Sequence, residues 1–457
     1  MVKYICEGCG IEFLKKSQYN SHNKCKNPNE NNTDKNRVIV NKIVEEKLKK
    51  TNEVKYSELS QTLTKQINKD EKKSNGIYFT PPETIHTNIK LLEPYMKNVK
   101  EVLEPSCGSC EYILALNQMY DININITGIE LNKTIFESIK HLKQNNITLI
   151  NDNYLSYTFH KKFDLIIGNP PYFVMKKNEV DETYYNYFDG RPNIFLLFII
   201  KSLKLLNSNG IVSFILPNNF INCLYYDKTR KYIVDNFQIL NIIECNDDYI
   251  ETKQDTIILI LQNKPPLDDN NTKYTINISG FTIFGTTDKI TTLKTLYSNS
   301  NTLRNLDFNV SVGNVVWNQC KKDLTHDNTK TLLIYSSDIT NNKLSIKQYS
   351  NDQKKNYINK TGTNNPLLVI NRGYGVGTYN FNYCIINENN NTQYLIENHL
   401  ICINYKKPIS NENLIIKYKE IIKSFENIKT IEFIKNYFGN NAINTTELCE
   451  ILPIYDI

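Results

Sequence analysis

The sequence predicts an α/β chain. It has an open sheet in its middle, a mixed α+β region after it and a small cysteine/histidine module before it. Three observations carry this. Seven apolar runs fall between residues 99 and 262, bounded by Gly, Pro or Asn. After Lys264-Pro265-Pro266 the pattern becomes short strand-like pieces among Asn-rich loops. The first 27 residues hold three cysteines and a histidine. We divide the chain into 1–27, a polar and partly helical linker 28–75, a sheet domain 76–264, a connecting segment 265–300 and a C-terminal domain 301–457.

Composition narrows the class. With 457 residues, 40% hydrophobic and 22% charged, the chain is globular rather than disordered. Its 54 basic and 48 acidic residues leave a net charge of +6, which permits a polyanionic partner without establishing one. The opening Met-Val-Lys-Tyr-Ile-Cys is not a secretory leader, and the most apolar stretch, Asn193 to Leu206, is short and contains Lys201 and Lys204. A soluble intracellular protein with no membrane partner is expected. Most of the 11 cysteines are scattered, as suits reduced thiols.

The runs are Val99–Leu103, Ile126–Glu130, Ile147–Ile150, Phe163–Ile167, Gly210–Leu216, Ile239–Glu244 and Thr256–Gln262. Continuous apolar runs of this length suit strands buried on both faces, and intervening helical patterns suit parallel pairing. No clear helix lies between the last two, so they pair antiparallel. The first strand ends in Glu104-Pro105-Ser106-Cys107-Gly108-Ser109-Cys110, where small residues let backbone approach a ligand and Glu104 can face a cationic amino group. The second ends at Glu130, placed to hold a ribose hydroxyl pair. The third ends at Asp152-Asn153, placed to meet an adenine amino group. One such acid would be a solvated loop carboxylate; three at successive strand ends point to a nucleoside-bearing ligand. The first turn lacks Gly-x-Gly-x-x-Gly, which argues against NAD.

The fourth strand stops at Asn169-Pro170-Pro171-Tyr172. Two prolines end the strand and stiffen the loop at the ligand edge of the sheet. The Asn169 amide oxygen and the Pro170 carbonyl oxygen can accept the hydrogens of a planar amino group such as that of adenine. Those bonds localise its lone pair toward an electrophilic methyl group, and Tyr172 offers an aromatic face to the base.

Here the sequence resembles the gamma-group N6-adenine DNA methyltransferases of type II restriction–modification systems. The leading Gly76-Ile77-Tyr78-Phe79-Thr80-Pro81-Pro82 is close to that family's first motif. The resemblance implies a Rossmann-like, seven-stranded, mostly parallel methyltransferase sheet and a C-terminal DNA target-recognition domain. It implies S-adenosylmethionine as cofactor, with Tyr78, Phe79 and Thr80 on the methionine side. Glu104, Ser106 and Gly108 fall in the first sheet motif, Glu130 at the ribose, and Asp152 and Asn153 at the adenine end. Asn169, Pro170, Pro171 and Tyr172 become the catalytic loop, with Asn169 also beside the cofactor. Tyr226, nine positions beyond Pro217, stacks with Tyr172 on the target base, with Tyr225 the neighbouring candidate. Double-stranded DNA is the implied partner, its adenine swung out of the stack. A cognate restriction endonuclease on a separate chain is compatible with this, as is a solitary enzyme. Further matches are Asn193–Leu196, Val312–Asn318, Val369–Gly373, Asn398–Leu400 and the closing Leu452-Pro453-Ile454. Cys107 and Cys110 depart from the family, which carries small residues or Gly there.

Cys6, Cys9, His22 and Cys25, with Phe13 and Tyr19 between them, resemble a C2HC zinc finger holding a structural Zn2+. The rival reading is free thiols on a tail. Lys15, Lys16, Lys24 and Lys26 suit binding to phosphates, and protein docking is the alternative use. Two other functions share the Asn-Pro-Pro-Tyr loop: methylation of a protein glutamine or a ribosomal RNA base, and a catalytically dead DNA reader.

Overall fold

The computed structural model describes residues 4–5, 12–13 and 56–455, except 121–123, 246–248, 253, 267–270, 350–352, 373–381, 389–391 and 439–442. The chain divides into residues 1–55 and 56–457. In the first unit, Tyr4–Ile5 pairs antiparallel with Glu12–Phe13. Cys6, Cys9, His22 and Cys25 lie outside the described residues.

The second unit is built on a seven-stranded sheet. Its strands are β1 (Glu101–Glu104), β2 (Asn125–Glu130), β3 (Ile147–Asn151), β4 (Phe163–Gly168), β5 (Leu206–Pro217), β6 (Gln238–Cys245) and β7 (Thr256–Gln262). The spatial order is β3-β2-β1-β4-β5-β7-β6. The first five pair in parallel, whereas β7 runs antiparallel to both β5 and β6. The predicted architecture and the reversed last pair are therefore present.

Period-two alternation explains why the runs are apolar throughout. In β7, Ile257, Leu259 and Leu261 face one core and Ile258 and Ile260 the other. The first core is filled by α6 (Ile194–Lys204), with nine of eleven residues buried. The second is filled by α3 (Pro82–Leu92) and α4 (Glu111–Tyr120). Ahead of them, α1 (Glu58–Gln66) and α2 (Lys69–Asn75) belong to the same body. Leu63 and Ile67 pack on Ile135 of α5 (Lys133–Ile139), so the end of the predicted linker is part of the sheet-bearing unit. The sequence hid this because α1 and α2 are mostly polar and bury one narrow stripe.

The predicted connecting segment also carries structure. Strands β8 (Thr275–Ile278) and β9 (Phe281–Phe284) form a hairpin, followed by α8 (Thr287–Tyr297). Ile278, Ile283, Leu293 and Leu296 join the C-terminal core with Tyr418 and Phe425 of α9 (Asn411–Glu426) and Phe433 of α10 (Ile428–Tyr437). Phe284, at the end of β9, lies instead in the α6-side core of the large sheet. The C-terminal domain holds two four-stranded sheets, and its Leu452-Pro453-Ile454 is clasped by paired backbone hydrogen bonds between Ile454 and Asn301, both 2.8 Å. No helix among the described residues is long and apolar enough to cross a membrane.

Candidate active site

The strand order reverses between β1 and β4, and a crevice opens there beyond the carboxyl ends of the strands. A cavity of about 330 Å³ occupies it. Four strand ends and the segment after α2 build its walls. Among the predicted residues, Tyr78, Phe79, Ser106, Gly108, Glu130, Asp152, Asn153, Asn169 and Pro171 line it. Glu104, Thr80, Pro170 and Tyr172 stand behind that lining.

Gly76 ends α2 with φ +64°, and a Cβ there would come within 2.6 Å of the Tyr172 backbone nitrogen. Only glycine permits both the left-handed turn and this approach to the Asn-Pro-Pro-Tyr loop. From β1, Glu104 is 3% exposed and one carboxyl oxygen, Oε2, has no hydrogen-bond partner. Burial, with Cys110, Glu130 and Glu111 nearby, holds its carboxyl well above the usual range. From β2, Glu130 accepts from the Gly108 backbone N–H at 2.9 Å and the Asn132 backbone N–H at 2.7 Å. Burial pushes its carboxyl up to about 7 despite these bonds. From β3, Asp152 and Asn153 sit exposed at the rim, and Asp152 accepts from the Asn153 backbone N–H at 2.6 Å.

The loop after β4 is held from several sides. The Ser106 hydroxyl donates to the Asn169 carbonyl oxygen at 3.2 Å, tying the first turn to the fourth. Asn169 Nδ2 donates to Thr80 Oγ1 at 3.1 Å. The Tyr172 hydroxyl lies 2.6 Å from Asn169 Oδ1 and 2.8 Å from the Ile215 carbonyl oxygen. Thr80 is therefore brought to the amide rather than to the cavity surface. Tyr172 packs edge-on against Phe195, with ring centres 6.0 Å apart, and Phe195 packs in the same way on Tyr226 at 5.3 Å. Tyr226 is buried in this cluster, whereas Tyr225 is 63% exposed.

Several contributors carried little sequence signal. Leu131 follows the acid of β2 and is 65% exposed on the cavity wall, offering an apolar face beside Glu130. Phe173, Ile194 and Phe198 add to the apolar lining. Tyr249, from the β6–β7 connection, brings a buried hydroxyl near Thr256 and Asn169 without a well-formed bond to either. Arg230, in α7 (Asp227–Asn236), is fully buried and donates to the Phe220, Cys223 and Thr282 carbonyl oxygens, fixing the turn that carries Tyr226. Cys110 takes φ +64°, a conformation in which glycine would be unstrained, and Cys107 packs on Gly128. Among the described residues no cluster of His, Cys, Asp or Glu could hold a metal ion.

A doubly covered sheet with one reversed strand, three acids at successive strand ends and a proline-stiffened amide beside the cavity defines an enzyme of the methyltransferase class. The Eco57I restriction-modification methylase family matches residues 13–250, and the chain belongs to that family. It is similar to the type II methyltransferase M.CvrRI of Paramecium bursaria Chlorella virus XZ-6E, at 25% identity over 410 residues, covering 88% of this chain and 99% of the relative. It is also similar to the modification methylase CviBIII of Paramecium bursaria Chlorella virus NC1A, at 24% identity over 412 residues with the same coverage. Among solved structures, the methyltransferase subunit of a type I restriction-modification system from Streptococcus thermophilus aligns at TM-score 0.37 and 16% identity, over 48% of this chain and 52% of that one. The resemblance to type II restriction–modification methyltransferases read from the sequence is borne out.

Proposed function

We propose that this chain transfers a methyl group from S-adenosylmethionine to the N6 amino group of an adenine flipped out of duplex DNA. The observation that carries the reading is the Asn169 amide, fixed at the cavity edge by the hydroxyls of Thr80 and Tyr172.

The cavity's donor set suits the cofactor. Behind the lining, the unpartnered, buried oxygen of Glu104 would accept from the methionine ammonium. Glu130 retains lone pairs for the ribose hydroxyls beyond its two backbone bonds. Leu131 would offer a face to the adenine ring, and Asp152 and Asn153 would hold its polar edge. When bound, the cofactor supplies a methyl group already activated on a sulfonium, so no covalent enzyme intermediate is needed.

Asn169 Oδ1 and the Pro170 carbonyl oxygen accept the two hydrogens of the target amino group. That draws the nitrogen toward a tetrahedral geometry and frees its lone pair. Positioning and preorganised dipoles thus supply most of the acceleration. Stacking on Tyr172, with Tyr226 behind it through Phe195, offsets part of the unstacking cost, at about 1–3 kcal/mol per base. The recognition domain selects the sequence context. We further propose that Cys6, Cys9, His22 and Cys25 hold one Zn2+ in an accessory module for DNA affinity. The antiparallel pairing of Tyr4–Ile5 with Glu12–Phe13 suits the hairpin half of such a module.

The test supplies purified protein with methyl-labelled S-adenosylmethionine and duplex oligonucleotides of varied sequence. N6-methyladenine is expected in the digested DNA. Label in a protein glutamine or in RNA, with unmodified adenine, overturns the assignment. Asn169→Ala is expected to abolish transfer while changing affinity for S-adenosylhomocysteine less than about threefold, since the amide acts on the amino group.

A further inference from the structure

Asn169 performs the proposed chemistry only when its oxygen, rather than its nitrogen, faces the incoming amino group. The two ends of a carboxamide have nearly the same shape, so packing does not choose between them. Its hydrogen-bond partners must do so.

Four groups form a chain: Thr80 Oγ1, the Asn169 amide, the Tyr172 hydroxyl and the Ile215 carbonyl oxygen. Such a chain has a direction. In the productive direction Nδ2 donates to Thr80 and Oδ1 faces Tyr172 and the target. In the reverse direction Thr80 donates to Oδ1, Nδ2 donates to the Tyr172 oxygen and Tyr172 gives its proton to Ile215. The phenol has one proton and two acceptors, at 2.6 and 2.8 Å, so it cannot fully serve both. Giving that proton to Ile215 turns its lone pairs toward the amide and favours the reverse direction. Donating it to Oδ1 instead, at the shorter distance of 2.6 Å, holds the orientation that the reaction needs.

The partner at the other end of the amide is Thr80. It is 7% exposed, so an amide N–H turned toward it finds little water. A hydroxyl oxygen there gives that N–H an acceptor; a methyl group would leave it unsatisfied. We infer that Thr80 is a positioning residue: by accepting the amide hydrogen of Asn169 while Tyr172 donates to Oδ1, it holds the amide with Oδ1 facing the reacting amino group. Thr80 touches neither the base nor the transferred methyl group in this role. The inference rests on the function proposed above and extends it to a residue outside the Asn-Pro-Pro-Tyr loop.

The test is Thr80→Val, which keeps the shape and removes the acceptor, beside Thr80→Ser, which keeps the hydroxyl. Thr80→Val is expected to lower kcat by about 10- to 100-fold, the range of one lost buried hydrogen bond. Affinity for S-adenosylhomocysteine should change less than about threefold, and Thr80→Ser should stay within about threefold of wild type in kcat. Adding Tyr172→Phe to Thr80→Val should cost less than the two single losses multiplied, because both act on one amide. If Thr80→Val does not fold, as judged by S-adenosylhomocysteine binding, Thr80→Ala takes its place. A kcat unchanged in the acceptor-free variant overturns the inference. So do a loss confined to cofactor affinity, failure of serine to rescue, and strict multiplicativity with Tyr172→Phe. Wild-type protein that methylates no adenine overturns the function itself, a result read before any variant is compared.

Discussion

Glu130 shows how much a single environment decides. Its two backbone partners favour the carboxylate, yet burial outweighs them and the group titrates at about 7 rather than 4.5. A carboxyl whose folded value is raised is most favourable to the fold below its unfolded value. That contribution is lost as pH climbs through the folded one. The cofactor-free protein should thus lose stability between pH 4.5 and about 7 on account of Glu130. Cofactor binding should run the other way, since the carboxylate is the stronger acceptor for ribose hydroxyls and for the cation's field. Calorimetric titration with S-adenosylhomocysteine should show affinity rising from about pH 5.5 to about 8, with Glu130→Gln flattening the curve. A pH-independent wild type would contradict this. Glu104 acts in the same sense, and any slope left in the Gln variant belongs to it. The placement of such residues was legible where chain order itself was the signal: Glu104, Glu130, Asp152 and Asn169 close four successive strands. They were not legible where a side chain's direction decides, as with Leu131, or where the partner lies far along the chain. Thr80 meets Asn169 across 89 positions, and no spacing rule announces that meeting.

Among the elements, the seven strands were readable because the central ones are buried on both faces, so most of their positions are apolar. Their ends were harder. β5 starts at Leu206 rather than Gly210, because Asn207, Ser208 and Asn209 are polar and the pairing with β4 is irregular there. Helices α1 and α2 lacked the apolar content that would have marked them, although α2 delivers Gly76 to the Asn-Pro-Pro-Tyr loop. Gly76→Ala should displace the Tyr172 backbone, lower kcat by at least about tenfold and cost about 1–3 kcal/mol of stability from the left-handed turn and the clash. Activity and urea midpoints measured side by side will show it. In α7, Arg230→Met should leave the Phe220, Cys223 and Thr282 carbonyl oxygens unserved. We expect a loss of about 2–5 kcal/mol in chemical denaturation. Lysine should not rescue it, since one ammonium cannot reproduce the planar fork.

For the whole molecule, mild basicity spread over 457 residues points to DNA affinity from local surfaces rather than from overall charge. The N-terminal module is one such surface in our reading. Deleting residues 1–27 should leave methylation at low salt within about twofold of wild type. It should weaken duplex binding as salt rises. The slope of log affinity against log salt should become shallower, in proportion to the number of phosphates the module neutralises. Metal analysis of the full chain should return one zinc, lost on replacing Cys9 by serine. Binding that responds identically to salt with and without the module would assign it to a protein partner instead.

The β8–β9 hairpin bears on how enzymes of this kind could be rebuilt. It inserts Phe284 among the aromatics of the cofactor-bearing half, and its Thr282 exchanges hydrogen bonds with both Asp227 and Arg230. A graft that imports a foreign recognition module by cutting at the Pro265-Pro266 pair would strip that half of a native β-strand. Splicing after Gly285 would keep the clasp with the recipient, so hybrids joined there should stay soluble and active where those joined at the proline pair aggregate.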